Sequence, residues 1–140
     1  MREILFRGKC VNNSEWVEGY FYESKISGCY ILVPELIKKR KKGGIVVICD
    51  DFKVYEIIFK TVGRYTDLKD KNGTKIFEGD ILKFIDGDNE VSYYEVVYSE
   101  ANCRWIIRQH EGATDDLDDF VGKYMTVVGN IYDNPKLLEV

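Results

Sequence analysis

Thr61-Val62-Gly63-Arg64-Tyr65-Thr66-Asp67-Leu68-Lys69-Asp70-Lys71-Asn72-Gly73-Thr74-Lys75-Ile76-Phe77-Glu78-Gly79-Asp80-Ile81 is the stretch on which the fold turns. Turn formers crowd it: Gly63, Asp67, Asp70, Asn72, Gly73, Gly79 and Asp80. Asn72-Gly73 is the strongest short hairpin signal in the chain, because both central residues of a type I′ turn need positive φ. Glu78-Gly79-Asp80 makes a second corner, with Gly79 supplying the left-handed conformation and Asp80 a carboxylate for nearby backbone N–H groups. The segment reads as a hinge, 61–80, between an N-terminal β unit over 1–60 and a C-terminal β unit over 81–140.

On the N-terminal side, strands are expected at Ile4–Lys9, Glu15–Tyr22 and Cys29–Val33. Alternation in the second places Trp16, Glu18, Tyr20 and Tyr22 on one face and Val17, Gly19 and Phe21 on the other. Pro34 ends the third or puts it at a sheet edge. Glu35–Gly44 reads as a basic loop, Ile45–Cys49 as an apolar strand buried on both faces, and Phe52–Phe59 as a further strand after an Asp50-Asp51 turn. On the C-terminal side, four short strands are expected at Asp80–Ile85, Val91–Tyr98, Arg104–Gln109 and Tyr124–Tyr132. Gly129 leaves room in the last or marks a bulge. Four strands with a long loop before the last predict a small, partly closed SH3-like barrel.

Composition agrees with an all-β fold. Of 140 residues, 47 are Val, Ile, Tyr, Phe or Trp, against 10 Ala and Leu together, which favours strands over helices. No apolar run approaches the roughly 18 residues of a membrane span, and Met1–Lys9 has no signal-peptide core, so a cytoplasmic protein is expected. The net charge of −4 argues against strong nonspecific binding to nucleic acid or anionic membranes. Cys10, Cys29, Cys49 and Cys103 show no zinc spacing. They read as free, small buried hydrophobes, with two disulfides as the alternative.

The quoted stretch resembles the signature of the YopX family, small proteins encoded largely by phages and prophages of Gram-positive bacteria. Val127-Val128-Gly129-Asn130-Ile131-Tyr132-Asp133-Asn134-Pro135-Lys136-Leu137-Leu138 resembles that family's closing motif. Met1-Arg2-Glu3-Ile4-Leu5-Phe6-Arg7 and Val17-Glu18-Gly19 also fit. Arg64 stands where Gln is usual, and Asp67 where Gly is usual, a change that bears on a turn because Asp tolerates positive φ less easily. The resemblance implies a mainly β fold and a prophage setting, and it carries no activity or catalytic residue.

Candidate functional residues are few. Gly63, Asp70, Asn72, Gly73, Gly79, Asp80, Gly129 and Asn130 each have a folding reason and read as structural. A single histidine, His110, and the absence of Walker, G-x-S-x-G and G-x-G-x-x-G motifs point away from an enzyme. The acidic runs Asp86–Glu90 and Glu111–Asp119 lack the spacing of a calcium loop, so no metal or other cofactor is expected. Lys38, Lys39, Arg40, Lys41 and Lys42 form the one strong cationic run. The reading is a non-enzymatic binding or assembly module of phage biology, a homo-oligomer or the partner of a phage or host protein. The alternative is a nucleic-acid-binding accessory protein using the 38–42 run and the aromatics of the C-terminal barrel.

Overall fold

The computed structural model describes residues 3–139, and of residues 36–41 and 46–50 only the backbone. The fold is all-β: eleven antiparallel strands and one six-residue α-helix among the described residues. The chain divides into two units. One runs from Ile4 to Val62; the other begins at Gly63 and also takes in Glu3.

The N-terminal unit is a four-stranded antiparallel sheet. Its strands are β1 (Phe6–Lys9), β2 (Trp16–Ser24), β3 (Gly28–Lys41) and β4 (Gly44–Glu56), in the order β4-β3-β2-β1. One face carries the core. Cys10, Cys29, Ile31 and Ile57 are buried, with Phe6, Val17, Phe21, Val33 and Tyr55 packed against them. Burying each large apolar side chain stabilises the unit by about 1.5–3 kcal/mol. Gly19 sits on this face because the Leu32 carbonyl leaves no room for a Cβ. Thr61 fastens the unit's end to β1: its hydroxyl donates to the Ile58 carbonyl (2.6 Å) and accepts from the Lys9 N–H (2.9 Å).

The long β3–β4 hairpin corrects three expectations. Residues 35–41 are strand, paired as far as Lys41↔Gly44, and the only turn is at Lys42-Gly43. Lys and Arg are weak strand formers, but each faces a β-branched or Gly partner across the ladder, and that pairing overrides propensity. Asp50-Asp51 is no turn either: β4 runs through it, and the register shift opposite Glu35/Leu36 absorbs one extra residue as a bulge. Pro34 lies inside β3, beyond Leu32, where β2 pairing has stopped. The missing N–H therefore faces an open edge. Ile45 is exposed, against the expectation of a strand buried on both faces.

In the C-terminal unit, β5 (Gly63–Lys69) pairs with β6 (Lys75–Phe77). A five-stranded antiparallel sheet follows, built from β7 (Asp80–Ile85), β8 (Val91–Ser99), β9 (Arg104–Arg108), β10 (Thr114–Asp116) and β11 (Met125–Asn130). Its order is β10-β9-β8-β7-β11. The ladder leaves β10 and β11 at its edges, so the pairing does not establish the SH3-like barrel expected for this half. The loop expected before the last strand instead holds β10 and the helix α1 (Asp119–Tyr124). Asp118 caps that helix, accepting from the Phe120 N–H at 3.0 Å. The core comprises Ile76, Leu82, Val96, Ile107, Leu117, Val121 and Met125.

One hairpin loop is built three times in this unit. In Asp70–Thr74, Asp86–Glu90 and Gln109–Ala113 the first residue's N–H donates to the fifth residue's carbonyl, at 2.9, 3.0 and 2.8 Å. The fourth residue's N–H returns to the first carbonyl, and the fourth residue is left-handed: Gly73, Asn89 and Gly112. This is a type I turn closed by a bulge residue in the left-handed region. The type I′ turn expected at Asn72-Gly73 does not form. Only Gly73 has positive φ, because the Asp70 Oδ1 accepts from the N–H groups of Asn72 (2.8 Å) and Thr74 (2.9 Å) and holds the loop in the other geometry.

Candidate functional site

The signature residues are committed to backbone. Asp70, 5% exposed, uses its second oxygen to accept from the Val127 N–H at 2.9 Å, tying the first hairpin loop to β11. Asp80, 1% exposed, accepts from the Phe77 N–H at 2.8 Å across the Glu78-Gly79 corner. Gly79 is left-handed there, and Gly63 lies against the Glu78 carbonyl with no space for a Cβ. Asn130 accepts from the N–H groups of Tyr132 (3.0 Å) and Asp133 (2.9 Å), closing the turn after β11. Gly129 follows a β-bulge and packs on Asn134 where a side chain would collide.

Burial raises the Glu78 carboxyl above its ordinary value; the Arg64 backbone hydrogen bond opposes this and the Glu95 charge adds to it. Burial likewise pushes up the Cys10 and Cys29 thiols, and Cys29 donates to the Ile57 carbonyl at 3.1 Å. Cys103 is an exception to the expectation of buried cysteines: it is exposed, in a left-handed turn position. The Cys49 side chain lies outside the described residues. No cluster of three or more His, Cys, Asp or Glu among the described residues is placed to hold a metal ion. No helix among them is long and apolar enough to cross a membrane.

Two surfaces remain. On the C-terminal unit a cleft of about 360 Å³ has Phe84, Tyr94, Ile107, Phe120 and Met125 as its walls and Asp115, Asp116 and Asp118 at its rim. Asp116 is paired with Arg104 at 3.1 Å, so the rim is partly neutralised.

On the N-terminal unit the outer sheet face is rich in aromatic and aliphatic side chains, with exposed Glu18 on β2 and exposed Glu56, paired with Tyr30, among them. The register aligns Tyr20, Leu32 and Val54 across three strands, Tyr22 beside Tyr30, and Pro34 beside Phe52. Tyr20 and Tyr22 are 55% and 56% exposed, and Phe52 and Val54 are exposed as well. The Tyr22 and Tyr30 rings stack at 6.5 Å, and at one edge the Arg7 guanidinium lies 4.9 Å from the Trp16 ring. The same sheet carries the basic run on its longest hairpin. Lys42 is exposed at the tip, while the side chains of Lys38, Lys39, Arg40 and Lys41 lie outside the described residues.

Both units expose aromatic side chains among the described residues. Tyr98 and Tyr124 are exposed in the C-terminal unit, but the broad face belongs to β2–β4. The signal was the Trp16-Glu18-Tyr20-Tyr22 alternation, which put three aromatics on one side of a strand.

Charge divides with the units. Residues 4–62 hold ten basic against seven acidic residues, a net +3. The remainder holds ten basic against seventeen acidic, a net −7.

These features define an all-β protein of two antiparallel units whose motif residues hold its turns and whose exposed surfaces differ in charge. The chain belongs to the YopX protein family, whose model matches residues 5–139. It is similar in fold to the crystal structure of protein EF1440 from Enterococcus faecalis, with a TM-score of 0.62 and 24% identity over 99% of each chain. A search of curated proteins gives no match.

Proposed function

We propose that this chain is a non-enzymatic assembly module, cytoplasmic and of phage or prophage origin, that associates with copies of itself. The observation that carries the reading is the segregation of charge, +3 in one unit and −7 in the other. Opposed patches steer encounter between copies and fix register, while apolar surface such as the Phe84–Phe120 cleft supplies affinity. In this arrangement the basic β3–β4 hairpin of one copy meets the acidic β10–α1 edge of another. Because the two patches differ, the contact is either head-to-tail or repeated twice about a two-fold axis. The placement of Asp70, Asp80 and Asn130 on backbone N–H groups supports a scaffold role for the motifs rather than a chemical one. A phage or host protein that presents a cationic segment is the other class of partner for the acidic edge.

Sedimentation at micromolar concentration tests this. Association is expected at low salt and should weaken at high salt. Lys39→Glu with Arg40→Glu and Lys41→Glu, and separately Asp115→Lys with Asp119→Lys, should each give monomers. Mixing the two variants should restore association. A parent that is monomeric at both salt concentrations overturns the proposal.

A further inference from the structure

We propose that the outer face of the β2–β3–β4 sheet binds single-stranded nucleic acid, with bases stacking on Tyr20, Tyr22, Tyr30 and Phe52 and phosphates met by the basic hairpin. This goes beyond self-association: it adds the aromatic sheet face to the basic hairpin and takes a different occupant. Four observations converge on one unit. Its outer face bears aromatic rings on three neighbouring strands, with the carboxylates of Glu18 and Glu56 toward its margins. Tyr20, Tyr22 and Phe52 are each about half exposed rather than covered by another layer. The unit is net positive within an acidic chain. Its longest hairpin carries five consecutive cations, Lys38–Lys42.

The spacing suits a strand of stacked or splayed bases. Adjacent strands lie about 5 Å apart and alternate residues along one strand about 7 Å apart, and the Tyr22 and Tyr30 ring centroids are 6.5 Å apart. Base–aromatic stacking is tolerant of sequence because every base has a π face, and a cationic groove tracks the backbone beside it. A duplex keeps its π faces inside, so the aromatic face selects unpaired strands. The charge selects the occupant: a second copy of this face presents another net-positive unit, whereas a polyanion neutralises it.

Fluorescence anisotropy of the full chain with a labelled oligothymidylate of about 15 nucleotides, within the usual site size of such platforms, tests the inference. Binding is expected at low salt and weaker for a duplex of equal length. With about five phosphates met, log K should fall against log salt with a slope of about −3 to −4. Tyr20→Ala and Phe52→Ala should each weaken binding by about fivefold or more, while Tyr20→Phe retains it. Both positions are exposed, and an unchanged thermal midpoint will show that the variants fold. Should Tyr20→Ala not fold, Tyr20→Leu keeps the apolar bulk and should still lose affinity. The Asp115→Lys, Asp119→Lys protein separates this inference from self-association: it should bind the oligonucleotide at least as well as the parent. Absence of binding at low salt overturns the inference. So does equal affinity for duplex with no effect of the ring substitutions, which would mark a simple polyelectrolyte contact.

Discussion

Asp70 shows how much one motif side chain carries. Its two oxygens accept from the N–H groups of Asn72, Thr74 and Val127, and the carboxylate is 5% exposed. In Asp70→Asn the Oδ1 can still serve the loop, but the amide nitrogen would face the Val127 N–H, donor against donor. Leaving that donor unsatisfied costs about 1–3 kcal/mol. The urea midpoint should fall by the corresponding amount, with an unchanged slope marking a loss of stability rather than a new unfolded state. Asp67 makes the opposite case. It holds φ of 69° where the family pattern has Gly. Its side chain accepts only a long, exposed bond from the Glu3 N–H, 3.4 Å. Asp67→Gly relieves about 1 kcal/mol of left-handed strain and returns part of it as unfolded-state entropy, for a net gain of about 0.5 kcal/mol. Asp67→Val, β-branched at the same φ, should lose about 1–2 kcal/mol in the same titration.

Among the elements, the β5–β6 hairpin and the β6–β7 corner look alike in sequence, each with a Gly at positive φ, but they differ in surroundings. A Cβ at Gly73 meets nothing within 4 Å, whereas one at Gly79 comes within 3.3 Å of the Tyr132 ring. Gly73→Ala should therefore cost only the backbone strain of about 1–2 kcal/mol, and Gly79→Ala measurably more by thermal unfolding. The corner also titrates. Glu78 is exposed, but partial desolvation raises its carboxyl, so the folded state slightly favours its neutral form. That contribution is complete below the ordinary carboxylate value and is lost as pH rises through the raised one. Glu78→Gln should unfold at a slightly higher temperature than the parent at neutral pH, by a small margin because solvent screens the exposed carboxylate, with the difference vanishing in acid. Strand alternation made most of these elements legible: Asp80–Ile85 appears with both ends as expected, and Glu15–Tyr22 and Arg104–Gln109 with ends moved by a residue or two. The failures are physical. Lys38–Lys41 looked like a loop because propensity is local, while the strand is held by Gly44–Val47 at the end of a twelve-pair ladder that runs back to Tyr30↔Glu56. The Asn72-Gly73 pair suggested the wrong turn because the deciding acceptor, Asp70, lies outside it. The aromatic face was only half legible, since alternation gives the side of one strand but not which strands lie beside it.

For the molecule as a whole, the sum of charge conceals its arrangement. A net −4 argues against nucleic acid, yet it is the total of +3 and −7 on separate units. At physiological salt the Debye length is about 8 Å, so an approaching partner feels the local run rather than the sum. The two proposals then make demands on one element. The acidic β10–α1 edge of a second copy and the phosphates of a single strand both need the β3–β4 hairpin, and each is weakened by salt. They must compete. Adding a stoichiometric oligothymidylate at low salt to the self-associated protein should replace the assembly with a smaller protein–nucleic acid species, read as a fall in sedimentation coefficient while the label remains bound. The acid-reversed Asp115→Lys, Asp119→Lys protein should form the same small complex with no assembly to displace. If the assembly persists at full size with oligonucleotide bound, the hairpin is not shared. The copies then meet through other surfaces, and the aromatic face keeps its strand without the competition.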